Sequence, residues 1–393
     1  MHKHRNNQSG FTHIIAPLVV VLLIALVGTY VLISSHADTP SLANSATPLT
    51  ASAQSCAHPH GPFQVSGNHV LDSSGHVFTP YGITVYGLSE SSWRTNMSSD
   101  DSQINATAAY WCANTVRIQV APANMFSNLA VGSAYNKDFM AAVDAEVQLA
   151  FKDNLNVVLT AQTEHLGGQL APTMQTEKYW DLMGTHYSGV NNIIFDLFNE
   201  PRLAVSVGGS AYNSAGIMAS WNLWKNGGTY QGTQYLGMQQ LADNLRQEDV
   251  HRTFWVEGPF YSSSLNLVSK YPINGYDIIY DLHHPAGAHD AASWDADFGN
   301  LAATRPVVIG EMSQYAAGNC WSNAATAIPQ FLTYLQQKQI GLVLWALQPG
   351  VLVQNSALNV PTNVTSSYHC SPTLDQGSGR VFADFFRANN ITN

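Results

Sequence analysis

The chain has 393 residues, enough for one large domain or two ordinary ones. Only 11% of them are charged, 45% are apolar, and the formal charge is −10. Ser, Thr, Asn, Gln and Tyr supply the polarity, which suits neutral polar ligands. The sequence has no basic stripe to hold nucleic acid, and its net negative field would repel an acidic polymer.

Residues 1–13 carry Lys3 and Arg5. Ile14 to Ile33 follow as a 20-residue run, apolar apart from Pro17, Gly28, Thr29 and Tyr30. That length spans a bilayer core of about 30 Å. Positive charge before the run keeps the N-terminus in the cytoplasm and exports the rest, so an extracellular location is expected. Two outcomes stay open. One is an uncleaved membrane anchor, which the length of the run favours. The other is a signal peptide cut after Ala37, because Ser35-His36-Ala37 has small residues at the two required places. Without this leader the chain keeps 14 bases against 26 acids, a formal charge of −12. Residues 34–60, rich in Ser, Thr, Ala and Pro, read as a flexible linker, and a single folded domain, acting as a monomer, is expected over 61–393.

Next come the elements of that domain. Phe63 to Phe78 contains two short apolar runs around Ser66-Gly67-Asn68, then Asp72-Ser73-Ser74-Gly75, and predicts a small N-terminal β-hairpin. Eight strands are then expected: Tyr81–Tyr86, Thr115–Val120, Asn156–Ala161, Asn192–Phe198, Thr253–Glu257, Asp277–Leu282, Pro306–Gly310 and Gly341–Leu347. They are nearly continuous in Val, Ile, Leu and Phe, as strands buried on both faces must be. Helical patterns lie between them, clearest at Asn136–Asp153, Gln231–Glu248 and Thr326–Gln339. Eight strand–helix units predict an α/β fold, a single (β/α)8 TIM barrel. A doubly wound open sheet is the alternative, but Tyr86-Gly87-Leu88-Ser89 is not the Gly-rich phosphate turn it would want.

Cys56, Cys112, Cys320 and Cys370 include no CxxC pair, which argues against zinc. Their even number in an exported chain suggests two disulfides, with three pairings possible. Cys56–Cys112 and Cys320–Cys370 are favoured, each stapling neighbouring loops of the barrel.

Barrel enzymes build their sites at the C-terminal ends of the strands. Here those ends are polar. The second strand carries Arg117. The third ends in Gln162, with Glu164 and His165 beyond it. Asn199-Glu200-Pro201 follows the fourth, Glu257-Gly258 closes the fifth, His283-His284-Pro285 the sixth and Gly310-Glu311 the seventh. The eighth contains Trp345. Two carboxyls facing one cavity push their pKa values apart, so one can serve as an acid while the other stays ionised. Cleavage of a glycosidic bond needs that division.

Asn199-Glu200-Pro201 after Ile193-Ile194-Phe195-Asp196-Leu197-Phe198, together with Pro306-Val307-Val308-Ile309-Gly310-Glu311, resembles glycoside hydrolase family 5, the cellulase family of clan A. The resemblance runs from about Phe63 to Phe386. It implies a retaining hydrolase of a β-linked polysaccharide or oligosaccharide, glucanase- or mannanase-like, needing neither metal nor organic cofactor. It further implies Glu200 as acid/base, Glu311 as nucleophile, Asn199 on the sugar 2-hydroxyl, Arg117 holding the nucleophile ionised, His283 in the network around the acid/base, and Trp345 as a platform under the sugar. The pattern breaks twice. Gln162 stands where the family usually has a His, and the sixth strand lacks the Tyr of His-x-Tyr, for which Tyr315 is a candidate substitute.

Two alternatives carry weight against this reading. A carbohydrate-binding barrel without activity would fit the two departures. A metal-dependent barrel hydrolase would use His283, His284 and His289, but the first strand lacks the His-x-His such enzymes want. Glu257 is expected either to bind sugar hydroxyls or to pair with a loop base. The insert from about Arg202 to Tyr230 is expected to form a wall of the cleft.

Overall fold

The structure is a computed structural model that describes residues 56–126, 134–164, 166–249, 251–283, 290–312, 315–316, 319–320, 324–348, 352–353 and 379–390. Among these residues no helix is long and apolar enough to cross a membrane, and the run Ile14–Ile33 lies outside them.

Eight parallel strands close into a barrel. We number them β1 (Tyr81–Val85), β2 (Thr115–Val120), β3 (Asn156–Ala161), β4 (Ile193–Asp196), β5 (Phe254–Glu257), β6 (Ile278–His283), β7 (Val307–Met312) and β8 (Gly341–Leu344). Each pairs with its neighbours in sequence, and β8 closes the ring on β1 through Leu342 opposite Tyr81. All eight expected strands form, within a few residues of their predicted bounds.

The barrel interior is layered, because side chains alternate along a strand. Val158, Ile194, Trp255, Ile279, Val308 and Val343 form an apolar layer near the N-terminal end. The hairpin (Gln64–Ser66 paired with His69–Leu71) plugs that end with Phe63, Val70 and Phe78. Phe63 and Phe78 stack with ring centroids 4.3 Å apart, and burying each ring stabilises the plug by roughly 1.5–3 kcal/mol. Two residues further along each of those six strands stand Thr160, Asp196, Glu257, Asp281, Gly310 and Trp345. Period-two alternation therefore places a polar layer directly above the apolar one.

Helices cover the outside. Helix Lys137–Lys152 begins at Asn136, whose side chain accepts from the Phe139 amide, with Asp138 in the first turn and Lys152 in the last; all three satisfy or complement the helix ends. Helix Ala324–Lys338 also forms as expected. The pattern Gln231–Glu248 does not hold as one helix. Gly227–Tyr230 and Thr233–Leu236 pair as an antiparallel hairpin, and only Met238–Glu248 is helical. The cause is local: Gln231 and Gly232 both take positive φ, 50° and 80°, the geometry of a two-residue hairpin turn. The insert also contains helix Ser214–Asn226. Its Trp221 and Trp224 are buried, and the Trp224 indole donates to the Glu257 carbonyl at 2.9 Å. This helix therefore braces the end of β5, beyond the cleft wall expected of the insert.

Cys56 and Cys112 form a disulfide across a separation of 56 residues, which by loop entropy contributes roughly 4 kcal/mol. Cys112 closes helix Trp93–Trp111 in the left-handed conformation. The Cys320–Cys370 pairing falls on residues outside those described.

One buried acidic pair lies between two of the outer helices. Asp100, from helix Trp93–Trp111, meets Glu146, from helix Lys137–Lys152, and both are almost fully buried. Burial pushes the Asp100 carboxyl up to about 7, against hydrogen bonds from Glu146 and the Gly87 amide that pull it down. Glu146 is raised well above the usual range, by burial first and then by Asp100. Glu146 thus keeps its proton and donates it to Asp100. A raised folded pKa means the stabilisation is complete below about pH 4 and is lost as pH rises through about 7. Glu146→Gln keeps a donor to Asp100 without a proton to lose. Its thermal midpoint at pH 8 is expected to exceed that of the wild type, with a flatter pH dependence between 4 and 8. A parallel pair of melting curves across that range would show the pair to be inert.

Candidate active site

Arg117 organises the C-terminal mouth. It sits on β2, fully buried, and its guanidinium reaches four partners. Nε and Nη2 donate to Asp196 Oδ2 on β4 at 3.0 and 2.7 Å. Nη2 also donates to Asn199 Oδ1 at 2.8 Å and to Glu257 Oε1 on β5 at 2.9 Å. Nη1 donates to Glu311 Oε1 on β7 at 2.5 Å. Only the planar fork of Arg can serve acceptors on three strands at once. Burial alone would lower its pKa, but Asp196, Glu311, Glu257 and Asp281 reverse this and fix the cation.

Gln119, two residues on and hence on the same face, donates to Glu311 Oε1 at 2.7 Å and to Asn199 Oδ1 at 3.1 Å. Asn199 Oδ1 therefore takes two donors, and its amide nitrogen is the end turned to the cavity.

His283 joins the two glutamates. Its Nδ1 lies 2.9 Å from Glu200 Oε1 and 3.7 Å from Glu311 Oε2. Its Nε2 lies 3.5 Å from Glu257 Oε1. The β6–β7 register shifts between Leu282 and His283, which sets His283 opposite Glu311. Such a bulge re-aims a side chain at a site. Gly310 is required beneath it: a Cβ there would fall 2.0 Å from Asp281 Oδ2, and the Gly310 amide donates to Asp281 Oδ1 at 2.6 Å.

Among the described residues, five carboxyls (Asp196, Glu200, Glu257, Asp281, Glu311) share this network with two cationic groups, Arg117 and His283. So dense an excess cannot be fully ionised in a dry site. Burial, then Glu257, pushes Asp196 up to about 7, against the pull of Arg117. Asp281 is raised by burial too. Glu311 stands above the usual carboxylate range, again through burial, while His283 and Arg117 pull it down. Burial would lower the His283 pKa, but Glu257 and Glu311 hold it well above the usual value, so the ring carries a proton at neutral pH.

The other expected residues are distributed as follows. Trp345 lies at the end of β8 and stacks on Tyr86, with centroids 4.9 Å apart. Gln348 Nε2 donates to the Tyr86 hydroxyl at 2.5 Å. Gln162 is buried, but its Oε1 accepts from the Glu164 amide at 2.8 Å, so it serves its own loop. Glu257 pairs with Arg117, a strand residue rather than the loop base expected. The Tyr315 side chain, His165, His284, Pro285 and His289 lie outside the residues described. Glu200, His283 and Glu311 have ligand atoms within 4.8 Å of one another, close enough to hold a cation. Here Arg117 already supplies positive charge to Glu311, and His283 Nδ1 is committed to Glu200.

Gln119, Asp196, Asp281 and Ser262 were not among the expected site residues. A signal existed for three of them. Gln119 is two residues from Arg117, Asp281 two from His283, and Asp196 interrupts an apolar strand with a charge; each parity points inward.

A closed eight-stranded barrel with two carboxyls meeting at its C-terminal mouth defines a class: barrel enzymes that work with a carboxyl pair. A family model, Cellulase (glycosyl hydrolase family 5), matches residues 71–350, and the chain belongs to that family. Endoglucanase A of Butyrivibrio fibrisolvens is 20% identical over 252 residues, 64% of this chain and 52% of that protein. The chain thus spans about half the length of this curated relative. A β-glucanase from Saccharophagus degradans superposes with a TM-score of 0.60 at 18% identity, over 90% of this chain and 98% of that one. The catalytic domain of a Thermobifida fusca endoglucanase, in complex with cellotetraose, does so at 0.59 and 16%, over 83% and 97%. These likenesses show the fold.

Proposed function

We propose that the chain is a retaining β-glucanase that uses Glu200 as acid/base and Glu311 as nucleophile. The observation that carries this reading is the approach of the two carboxyls, whose oxygens come within 4.8 Å with His283 between them. Retaining enzymes hold the pair about 5–5.5 Å apart, whereas inverting enzymes leave roughly 6.5–9.5 Å for a water. The family and the cellotetraose complex of the Thermobifida fusca enzyme support a β-glucan as the substrate.

In the first step Glu311 attacks the anomeric carbon while Glu200 gives its proton to the glycosidic oxygen. The bond to the leaving sugar breaks, that sugar departs as an alcohol, and a glycosyl ester on Glu311 forms. In the second step Glu200, now a carboxylate, takes a proton from water. The water oxygen attacks the anomeric carbon, Glu311 is released, and two inversions give net retention. Arg117 and Gln119 hold Glu311 Oε1, leaving Oε2 for attack. Asn199 turns its amide nitrogen to the 2-hydroxyl of the sugar. Trp345, backed by Tyr86, offers a flat face to the ring bound there.

The enzyme works outside the cytoplasm. Lys3 and Arg5 before the apolar run support export. The Cys56–Cys112 bond belongs in an oxidising compartment.

The test is hydrolysis of soluble β-glucans and mannans followed by proton NMR of the fresh reducing ends. A β-glucan should be cleaved, with the β-anomer appearing first. An initial α-anomer would overturn double displacement. Cleavage of mannan alone would overturn the glucan assignment, and hydrolysis of neither would overturn the reading.

A further inference from the structure

Glu257 is not part of the two-step scheme, yet it is the most connected carboxylate next to the acid/base. It is fully buried at the end of β5. Its Oε2 accepts the Glu200 backbone amide at 2.6 Å and the Ser262 hydroxyl at 2.5 Å. Its Oε1 accepts from Arg117 at 2.9 Å and lies 3.5 Å from His283 Nε2. The other nitrogen of that ring meets the Glu200 carboxyl at 2.9 Å. Glu257 therefore holds Glu200 at both ends, directly at the backbone and through His283 at the carboxyl.

The backbone around this contact is strained. Glu200 has φ of +47°, a conformation that side chains with a Cβ rarely adopt. Phe260, Tyr261 and Ser262 follow β5 with φ of +60°, +60° and +54°. Three consecutive left-handed residues without glycine persist only where surrounding contacts fix them. Two contacts do so here, and both lead to the acid/base turn. Ser262 donates to Glu257, and the Tyr261 amide donates to the Pro201 carbonyl at 3.0 Å. Pro201 is the residue after Glu200.

We infer that Glu257 and Ser262 form a clamp that positions Glu200 for proton delivery to the leaving oxygen. Glu257 is a positioning residue, acting through the Glu200 amide and His283, and Ser262 fixes the rotamer of Glu257. This rests on Glu200 serving as the acid/base.

The experiment uses two substrates with the same sugar, a nitrophenyl β-glycoside and a natural oligosaccharide. The nitrophenyl group leaves without a proton, so misplacing the acid costs it little. For both Glu257→Gln and Ser262→Ala, kcat/KM on the oligosaccharide is expected to fall at least about tenfold, and on the nitrophenyl substrate less than about threefold. Ser262→Ala loses only a hydroxyl, so it carries the test if Glu257→Gln fails to fold. Equal losses on both substrates, or no loss on either, would overturn the clamp while leaving the hydrolase reading intact. A wild-type enzyme inactive on both would overturn the hydrolase reading itself, and the clamp with it.

Discussion

Glu311→Ala is expected to lose turnover by on the order of 10⁴-fold or more, and azide is expected to restore part of it with inverted product. The small anion enters the space the carboxylate leaves and attacks the same carbon from the same face. No second displacement follows, so the glycosyl azide keeps the inverted configuration. An activated leaving group makes the rescue measurable. The same variant should not be less stable at neutral pH. Glu311 is almost fully buried among an excess of carboxyls and held above the usual carboxylate range, first of all by burial. A carboxyl with a raised folded pKa costs stability once pH exceeds its unfolded value, so removing it relieves that cost. Near-normal activity in Glu311→Ala, or azide products of retained configuration, would defeat the mechanism.

Arg117→Met should have the largest effect on stability. The guanidinium is shared by Asp196, Glu257 and Glu311, all buried. Removing one partner of a buried ion network typically costs about 3–5 kcal/mol, because the charges left behind have neither water nor a counter-ion. The loss is measured by denaturant unfolding. Arg117→Lys separates charge from geometry. It keeps the cation, but one ammonium cannot reach four acceptors with the angles of a fork. Arg117 lowers the Glu311 pKa, so its weaker substitute lets that pKa rise. Glu311 is then ionised only at higher pH, and with Glu311 as the proposed nucleophile the acid limb of kcat/KM is expected to move upward. An unmoved limb in Arg117→Lys would separate Arg117 from the nucleophile.

Much of the fold was legible because a barrel strand is buried on both sides. Thr115–Val120 and Asn156–Ala161 form at their predicted bounds: the second carries a continuous apolar run, Val157–Leu159, and the first alternates Val116, Ile118 and Val120 with Thr115, Arg117 and Gln119. The stretch Gln231–Leu236 was not legible as a hairpin. Its apolar spacing tolerates a helix, and only the left-handed geometry at Gln231-Gly232 decides for the turn.

The site divides in the same way. The sequence by itself determined the placement of the candidate groups: which strands lead into carboxyls, that Glu200 follows the fourth and Glu311 lies on the seventh, and that Arg117 and His283 point to the same end. Those statements need only strand order and period-two alternation, both local properties. Only the tertiary structure decided who holds whom. The register shift at Leu282/His283 sets the imidazole opposite Glu311, Glu257 proves to be a buried partner of Arg117, and Gln162 turns back onto its own loop. The physical reason is distance along the chain. Arg117 is 194 residues from Glu311 and Glu200 is 57 from Glu257, and no local pattern encodes contacts at that range. Closure of the barrel creates them.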